Sequence, residues 1–393
     1  MGFLSGSVTF QRYRITDDPT GEFGETHLET LKKHVIGKSS GNTYETPGVG
    51  FSGGAHLLDT EFSFEKNVIG QAMHFGVRID SCQIPSPIKR AWMHQELASV
   101  LIGNPGGKPS KAQRTEAKEA VEDRCAQEAE KGNFQKLSEV SVLWDAVSDT
   151  IFLGSTSEKT NEMVLGLLER TFGIEVSKVT CGKLAYEIAE ELDLNAELFS
   201  IAPAAFNVEA TGNVVWWNGM SENYDYLGNE FLLWLWWNWE TNSNVIQLAD
   251  DSEVSGMFAR SLSLDCPEGE HGKDSISSES PVALPEAALA VKMGKLPRKA
   301  GLTLVRNELQ FDFALQSEMF SVGSARIRAA DESAVMSHEL VDRISNVREL
   351  ADTIDYLFQA FCEVRLGERW NTELRKVKKW LESETPLRRQ KAA

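Results

Sequence analysis

The stretch VSVLWDAVSDTIFL, residues 140–153, decides the fold when it is read together with EKTNEMVLGLLERTF at 158–172. Apolar residues crowd two short runs with a turn at Ala146–Asp149 between them, which predicts two strands. Met163, Leu167 and Leu168 then recur at helical spacing, so a helix follows over Glu158–Phe172. Two strands and a helix in so short a span predict an α+β protein. Working towards the start, Gly6–Ile15 alternates polar with apolar residues as a strand does. Leu28, Leu31 and Val35 mark a helix over Glu25–Val35, before a Gly/Ser-rich turn at 37–42. Phe62–Phe64 and Gln71–Asp80 read as further strands, the second with Met73, Phe75, Val77 and Ile79 on one face. From Ile84 to Lys131 two charged helical pieces, separated by Gly and Pro at 103–107, form an arm.

Towards the end, Leu184, Ile188 and Leu192 mark a helix, and Trp216, Trp217 and the run Phe231–Trp239 make an aromatic region. Residues 250–280 are rich in Asp, Glu, Ser and Gly and lack periodicity, so an acidic mobile loop is expected. LTLV at 302–305 and LQFDF at 309–313 are strands, with another ending near Ile327. Leu340, Ile344, Val347, Leu350, Ile354, Leu357 and Phe361 then recur in steps of three and four, a long amphipathic helix, and a basic tail runs from Arg365 to Ala393. The resulting division is an N-terminal α+β lobe (1–83), a charged helical arm (84–133), an α+β region with the Trp-rich segment (134–249), the acidic loop (250–285), a strand-rich segment (286–330) and a C-terminal helical region (331–393).

A chain of 393 residues exceeds the roughly 250–300 at which one core stops growing, so a multi-lobed subunit is expected. With 41% hydrophobic and 25% charged residues it folds rather than remaining disordered. No apolar run nears the roughly 18 residues of a membrane span, and MGFLSGSVTFQRYRI lacks the zones of a signal peptide, so a cytoplasmic location is expected. Five widely spaced cysteines without a C-x-x-C pair point to reduced thiols and no structural zinc. The net charge of −18 opposes generic phosphate binding, unless cations are gathered on one surface.

Catalytic motifs fail on context. Gly50–Gly54 matches G-x-S-x-G around Ser52, but Gly53 and Gly54 disfavour the helix that should follow a serine nucleophile. Gly37-Lys38-Ser39 would end a phosphate loop only with a glycine at position 32, where Lys32 stands. Ser86-Pro87-Ile88-Lys89 lacks the companion motifs of S-x-x-K catalysis, and the seven histidines show no ligand spacing. The rings of FLLWLWWNWE (231–240) could stack on bases, but few cations flank them, and a buried strand or interface is the stronger reading. AVKMGKLPRKAGLTLVR (290–306) carries the best internal basic cluster, Lys292, Lys295, Arg298, Lys299 and Arg306, where a solvated turn and phosphate contact compete evenly.

IPSPIKRA (84–91), KGNFQKLSEVSVLWD (131–145), NEMVLGLLERTFG (161–173) and Met293–Phe311 resemble, in order, segments of the RdgC (recombination-associated) family. The resemblance implies an α+β subunit in a ring-shaped homodimer. It also implies binding of double-stranded DNA through the hole with little sequence preference, and restraint of the RecA recombinase at the nucleoid. It assigns DNA phosphate to Lys89, Lys136, Lys295, Arg298 and Lys299, and a dimer interface to Phe134. The chain departs from the family where Gly132 and Asn133 replace a basic approach to Phe134, and where SISSESPVALPE replaces one before the Gly-Lys turn. The expected protein is non-enzymatic, with no catalytic residue, metal or cofactor. The alternative is an acidic scaffold that contacts a recombinase or another protein without touching DNA.

Overall fold

The computed structural model describes residues 2–17, 19–37, 46–102, 107–206, 224–270, 272–329 and 339–382, and it is mixed α+β with antiparallel sheet. Its first elements are β1 (Val8–Ile15), α1 (Glu25–Lys33), β2 (Gly48–Ser52), α2 (Phe64–Asn67), β3 (Val68–Ile69) and β4 (Ala72–Cys82). Next come α3 (Ser86–Leu101), α4 (Lys111–Glu130), β5 (Gln135–Asp145), β6 (Thr150–Leu153), α5 (Glu158–Phe172) and β7 (Val176–Lys178). They are followed by α6 (Cys181–Glu191), α7 (Asn195–Ser200), α8 (Leu227–Thr241), β8 (Val245–Gln247), β9 (Glu253–Asp265) and β10 (Asp274–Ser278). The last are α9 (Pro285–Lys292), β11 (Leu296–Arg306), β12 (Leu309–Gln316), β13 (Val322–Ala329), α10 (Leu340–Leu366) and α11 (Trp370–Glu382).

These elements form two compact units whose chain segments interleave. The first unit is Met1–Thr16, Asp149–Thr156 and Val176–Ala393; the second is Asp17–Ser148 and Ser157–Glu175. The consecutive lobes expected along the chain therefore do not coincide with the units: the region 134–249 contributes to both.

In the second unit β4 pairs with β2, β3 and β5, all antiparallel. One face of β4 buries Met73, Phe75, Val77 and Ile79, as the alternation predicts. Phe51, Phe75, Phe172 and Trp144 meet edge to face at centroid distances of 5.2–5.9 Å, joining β2, β4, β5 and α5. The arm is the pair α3 and α4. Its small core holds Ile84, Trp92, Val121 and Cys125, and a capping box closes the start of α4, Ser110 N–H donating to Gln113 at 2.9 Å and Gln113 N–H to Ser110 at 3.2 Å. Phe62–Phe64, read as a strand, leads instead into the single turn α2. There the Asn67 side chain accepts from Ser63 N–H at 3.1 Å and donates to the Gly53 and His74 carbonyls, consuming hydrogen bonds a strand would have used.

In the first unit the strands run β10-β9-β11-β12-β13-β1-β6, every pair antiparallel, with β7 also on β1 and β8 on β9. β11 turns into β12 through Asn307 and Glu308, both at positive φ (48° and 63°), the twist that a two-residue hairpin needs. Residues 250–285 are not one loop: β9 and β10 occupy half of them, with Val254, Phe258, Leu262 and Leu264 buried. The alternation was hidden because β9 bulges at Arg260 (φ 67°), where its register against β11 shifts. The aromatic run is buried as expected but helical. Every residue from Leu227 to Trp237 of α8 is buried, and a helix apolar on all sides shows no 3.6-residue period to tell it from a strand. α8 lies on the sheet through Trp236 and Trp239 against Phe258, and meets α10 through Phe231 against Phe358 and Phe361. α10 buries Ile344, Val347, Leu350, Ile354, Leu357 and Phe361 of the stripe read from the sequence, while its first member, Leu340, is exposed. The turn residues 38–42, most of the Gly/Pro break at 103–107, Trp216, Trp217 and the tail beyond Glu382 lie outside the described residues.

Candidate nucleic-acid interface

An antiparallel sheet with helices on one face can leave the other to water. In the first unit, Leu302 and Leu304 of β11 and Phe311 and Phe313 of β12 point into the core. The alternate positions form rows on the opposite face. Thr303 stands opposite Asp312 and Asp312 opposite Arg326; in the next row Gln310 stands opposite Arg328. Arg326 and Arg328 are exposed. Arg260 joins them because the β9 bulge redirects a position whose neighbours of the same parity, Phe258 and Leu262, face inward.

One carboxylate organises this cluster. Asp312 is 4% exposed and bonds to Arg328, accepts from Thr303 Oγ1 at 2.7 Å and from Gln310 Nε2 at 3.3 Å, and lies 3.8 Å from Arg260. Burial pushes its carboxyl up, but the hydrogen bonds from Thr303, Arg328 and Gln310 more than offset that and hold it below the ordinary range. Two guanidiniums, those of Arg328 and Arg260, approach this carboxylate, and the exposed Arg326 stands opposite it in register, so the arginines of this cluster outnumber the acid they surround. Four residues from Thr303 along β11, roughly 13 Å away at strand rise, Lys299 is exposed opposite Gln316. It borders a polar cavity of about 440 Å³ with Lys178, Thr9, Thr156, Ser321 and Ser324. Gln11 forms a fixed wall, its amide donating to the Val179 and Met319 carbonyls at 3.0 Å each. If this face holds phosphate, Asp312→Asn, which removes the opposing charge, steepens the log–log salt dependence of DNA binding by about 1 and tightens binding at low salt. An unchanged slope in a salt titration of this variant would remove Asp312 and its arginines from the interface.

The residues picked from the sequence are distributed as follows. Lys295 is 6% exposed and its Nζ lies 2.7 Å from Asp274. Arg298 pairs with Glu318 at 2.7 Å and Asp265 at 3.5 Å. Both charges are already opposed inside the fold, whereas Lys299 faces solvent without an ion pair among the described residues, and Lys292 is exposed at the end of α9. Arg306 is buried between Asp250 and Glu349. Lys89, half-buried on α3, and Lys136, exposed on β5, belong to the second unit. Phe134 sits at positive φ (59°), half-buried, its ring edge-on to Trp92 at 6.4 Å and packed on the small core of the arm. Arg260, Arg326, Arg328 and Lys178 were missed; the signal available for two of them is ARIRA at 325–329, where arginines alternate with apolar residues.

Ser52 is the fully buried last residue of β2, its hydroxyl bonded to Glu139, and no helix follows it. His74 is buried against Ser141 Oγ at 2.8 Å, and burial pushes it down to about 4, the setting of a packed histidine. Among the described residues no helix is long and apolar enough to cross a membrane. No family model and no curated protein matches the chain.

Proposed function

We propose that this chain binds duplex DNA without sequence preference through the exposed cations of the first unit's sheet. In keeping with the resemblance to the RdgC family, it acts as a homodimer that encircles the duplex at the nucleoid and restrains RecA-dependent recombination, with no chemistry of its own. The observation that carries the reading is the gathering of Arg260, Arg326, Arg328 and Lys299 on one solvent face of a chain whose net charge is −18. Phosphate affinity depends on cations placed where a backbone can reach them, not on the chain average. Side chains on a regular sheet meet phosphates at fixed spacing and read no base edges, which suits binding of any sequence.

The test is fluorescence anisotropy with a linear labelled duplex across a salt series. Four phosphate contacts give a log–log slope near −4, so affinity falls roughly 100-fold between 50 and 200 mM salt. Lys299→Ala/Arg326→Ala/Arg328→Ala lowers affinity and flattens the slope by about 3, equally for unrelated duplex sequences. Absence of any binding at low salt overturns the proposal and leaves the acidic protein scaffold in its place.

A further inference from the structure

We propose that a cavity in the second unit is a binding site for a small phosphate monoester. Its volume is about 350 Å³, the lower end of the roughly 300–1,000 Å³ typical of small-molecule sites. Two elements build it. β4 and β5 present Ile79, Ser81, Lys136 and Ser138 to one face, because Ser81 stands opposite Lys136 and Ile79 opposite Ser138. The start of α5 adds Ser157, Lys159 and Thr160.

The chemistry of this lining is one-sided. Two lysines face the cavity, neither held in an ion pair among the described residues, and no carboxylate is among the residues that line it. Two ammonium groups bordering one cavity repel each other, and a dianion between them turns that repulsion into attraction. The hydroxyls supply further donors. Thr160 Oγ1 donates to Ser157 Oγ at 3.0 Å, while Ser81 and Ser138 donate to the Lys136 and Ile79 carbonyls at 3.4 and 3.3 Å, long bonds that a phosphate oxygen could replace. The floor is different: Ile79 is buried, and Met163 and Pro47 complete an apolar surface. A cationic, hydroxyl-rich rim over an apolar floor fits a phosphate ester carrying a short organic body better than a bare inorganic anion. It also fits such a ligand better than a polymer backbone, which needs an open groove.

This site shares no residue with the sheet face proposed for DNA, so the two readings fail separately. The experiment is isothermal titration of the full chain with inorganic phosphate and with glycerol phosphate, ionic strength held constant with sodium chloride. Glycerol phosphate binds several-fold more tightly than inorganic phosphate. Lys136→Ala and Lys159→Ala each weaken it at least tenfold, Lys159→Arg retains it, and the Lys299/Arg326/Arg328 triple alanine variant binds it as the parent does. Both replaced lysines are exposed, and an unchanged circular dichroism spectrum shows that the fold is kept. A silent titration overturns the proposal, as does binding that survives loss of both lysines or disappears only in the sheet-face variant.

Discussion

Replacing Arg365 with methionine is expected to destabilise the first unit by about 3–5 kcal/mol, the cost of leaving one member of a buried ion pair without its partner. Glu230 and Arg365 are 1% and 4% exposed and meet at 2.6 Å. Each is otherwise satisfied: Glu230 accepts from Ala204 N–H at 2.7 Å, and Arg365 donates to the Ala202 carbonyl at 2.8 Å and lies over the Trp370 ring at 4.6 Å. The pair therefore ties α8, α10 and the segment before Phe206 into one network, and α11 begins at the ring that Arg365 covers. Methionine fills a similar volume but leaves the Glu230 carboxylate in the core with a single hydrogen bond. Glu230→Gln added to Arg365→Met removes the stranded charge while keeping an acceptor for Ala204, so the double variant is more stable than Arg365→Met alone. Urea unfolding followed by tryptophan fluorescence measures both. Equal or lower stability of the double variant would mean that the lost packing on Trp370, not the orphaned charge, sets the cost.

Where the sequence was read correctly, a periodicity or a turn-bounded apolar run operated without interference. The helix at Glu158–Phe172 and the stripe of α10 keep a regular step, and the crowded apolar runs at 140–153 are bounded by a clear turn; each stands within the element expected, although β5 begins earlier, at Gln135. Two kinds of segment escaped. In α8, uniform burial erased the period, so length alone could have separated helix from strand, although FLLWLW contains no β-branched residue to favour a strand. In β9 a bulge interrupted the alternation, and the serines and acids beyond it resembled a loop. The same bulge explains much of what was illegible in the candidate interface. Arg260, Lys299, Arg326 and Arg328 come from three strands brought together by the order β9-β11-β12-β13, and no linear window contains them all. The linear cluster that was visible, residues 292–306, mixed two exposed cations, Lys292 and Lys299, with three engaged by internal carboxylates. Adjacent basic residues in a sequence alternate between faces in a strand, so a charge run measures local composition, while a charged surface depends on register.

Register and burial also create a pH dependence that net charge would not predict. Glu240, the penultimate residue of α8, accepts from Trp236 Nε1 at 2.6 Å and from Trp380 Nε1 of α11 at 3.2 Å, and the two indoles meet edge to face at 5.7 Å. Burial pushes its carboxyl up to about 7 against an ordinary 4.5, although both indole bonds pull the other way. Between those two values the folded state holds a proton that the unfolded chain has released, so stability declines with rising pH. The contribution is fully present below about pH 4.5 and is lost as pH rises through about 7, a total of about 3 kcal/mol at 1.4 kcal/mol per unit. The loss falls on the contact between α8 and α11, so the C-terminal helix should loosen first on the alkaline side. Unfolding of the first unit measured from pH 5 to 8.5 should show this decline, and Glu240→Gln, which cannot ionise, should flatten it even if the amide lowers stability throughout by setting an N–H against one indole. A variant that keeps the parent's slope would place the titrating group elsewhere, with Asp352, pushed up to about 6 by burial and by its neighbour Asp355, as the next group to replace.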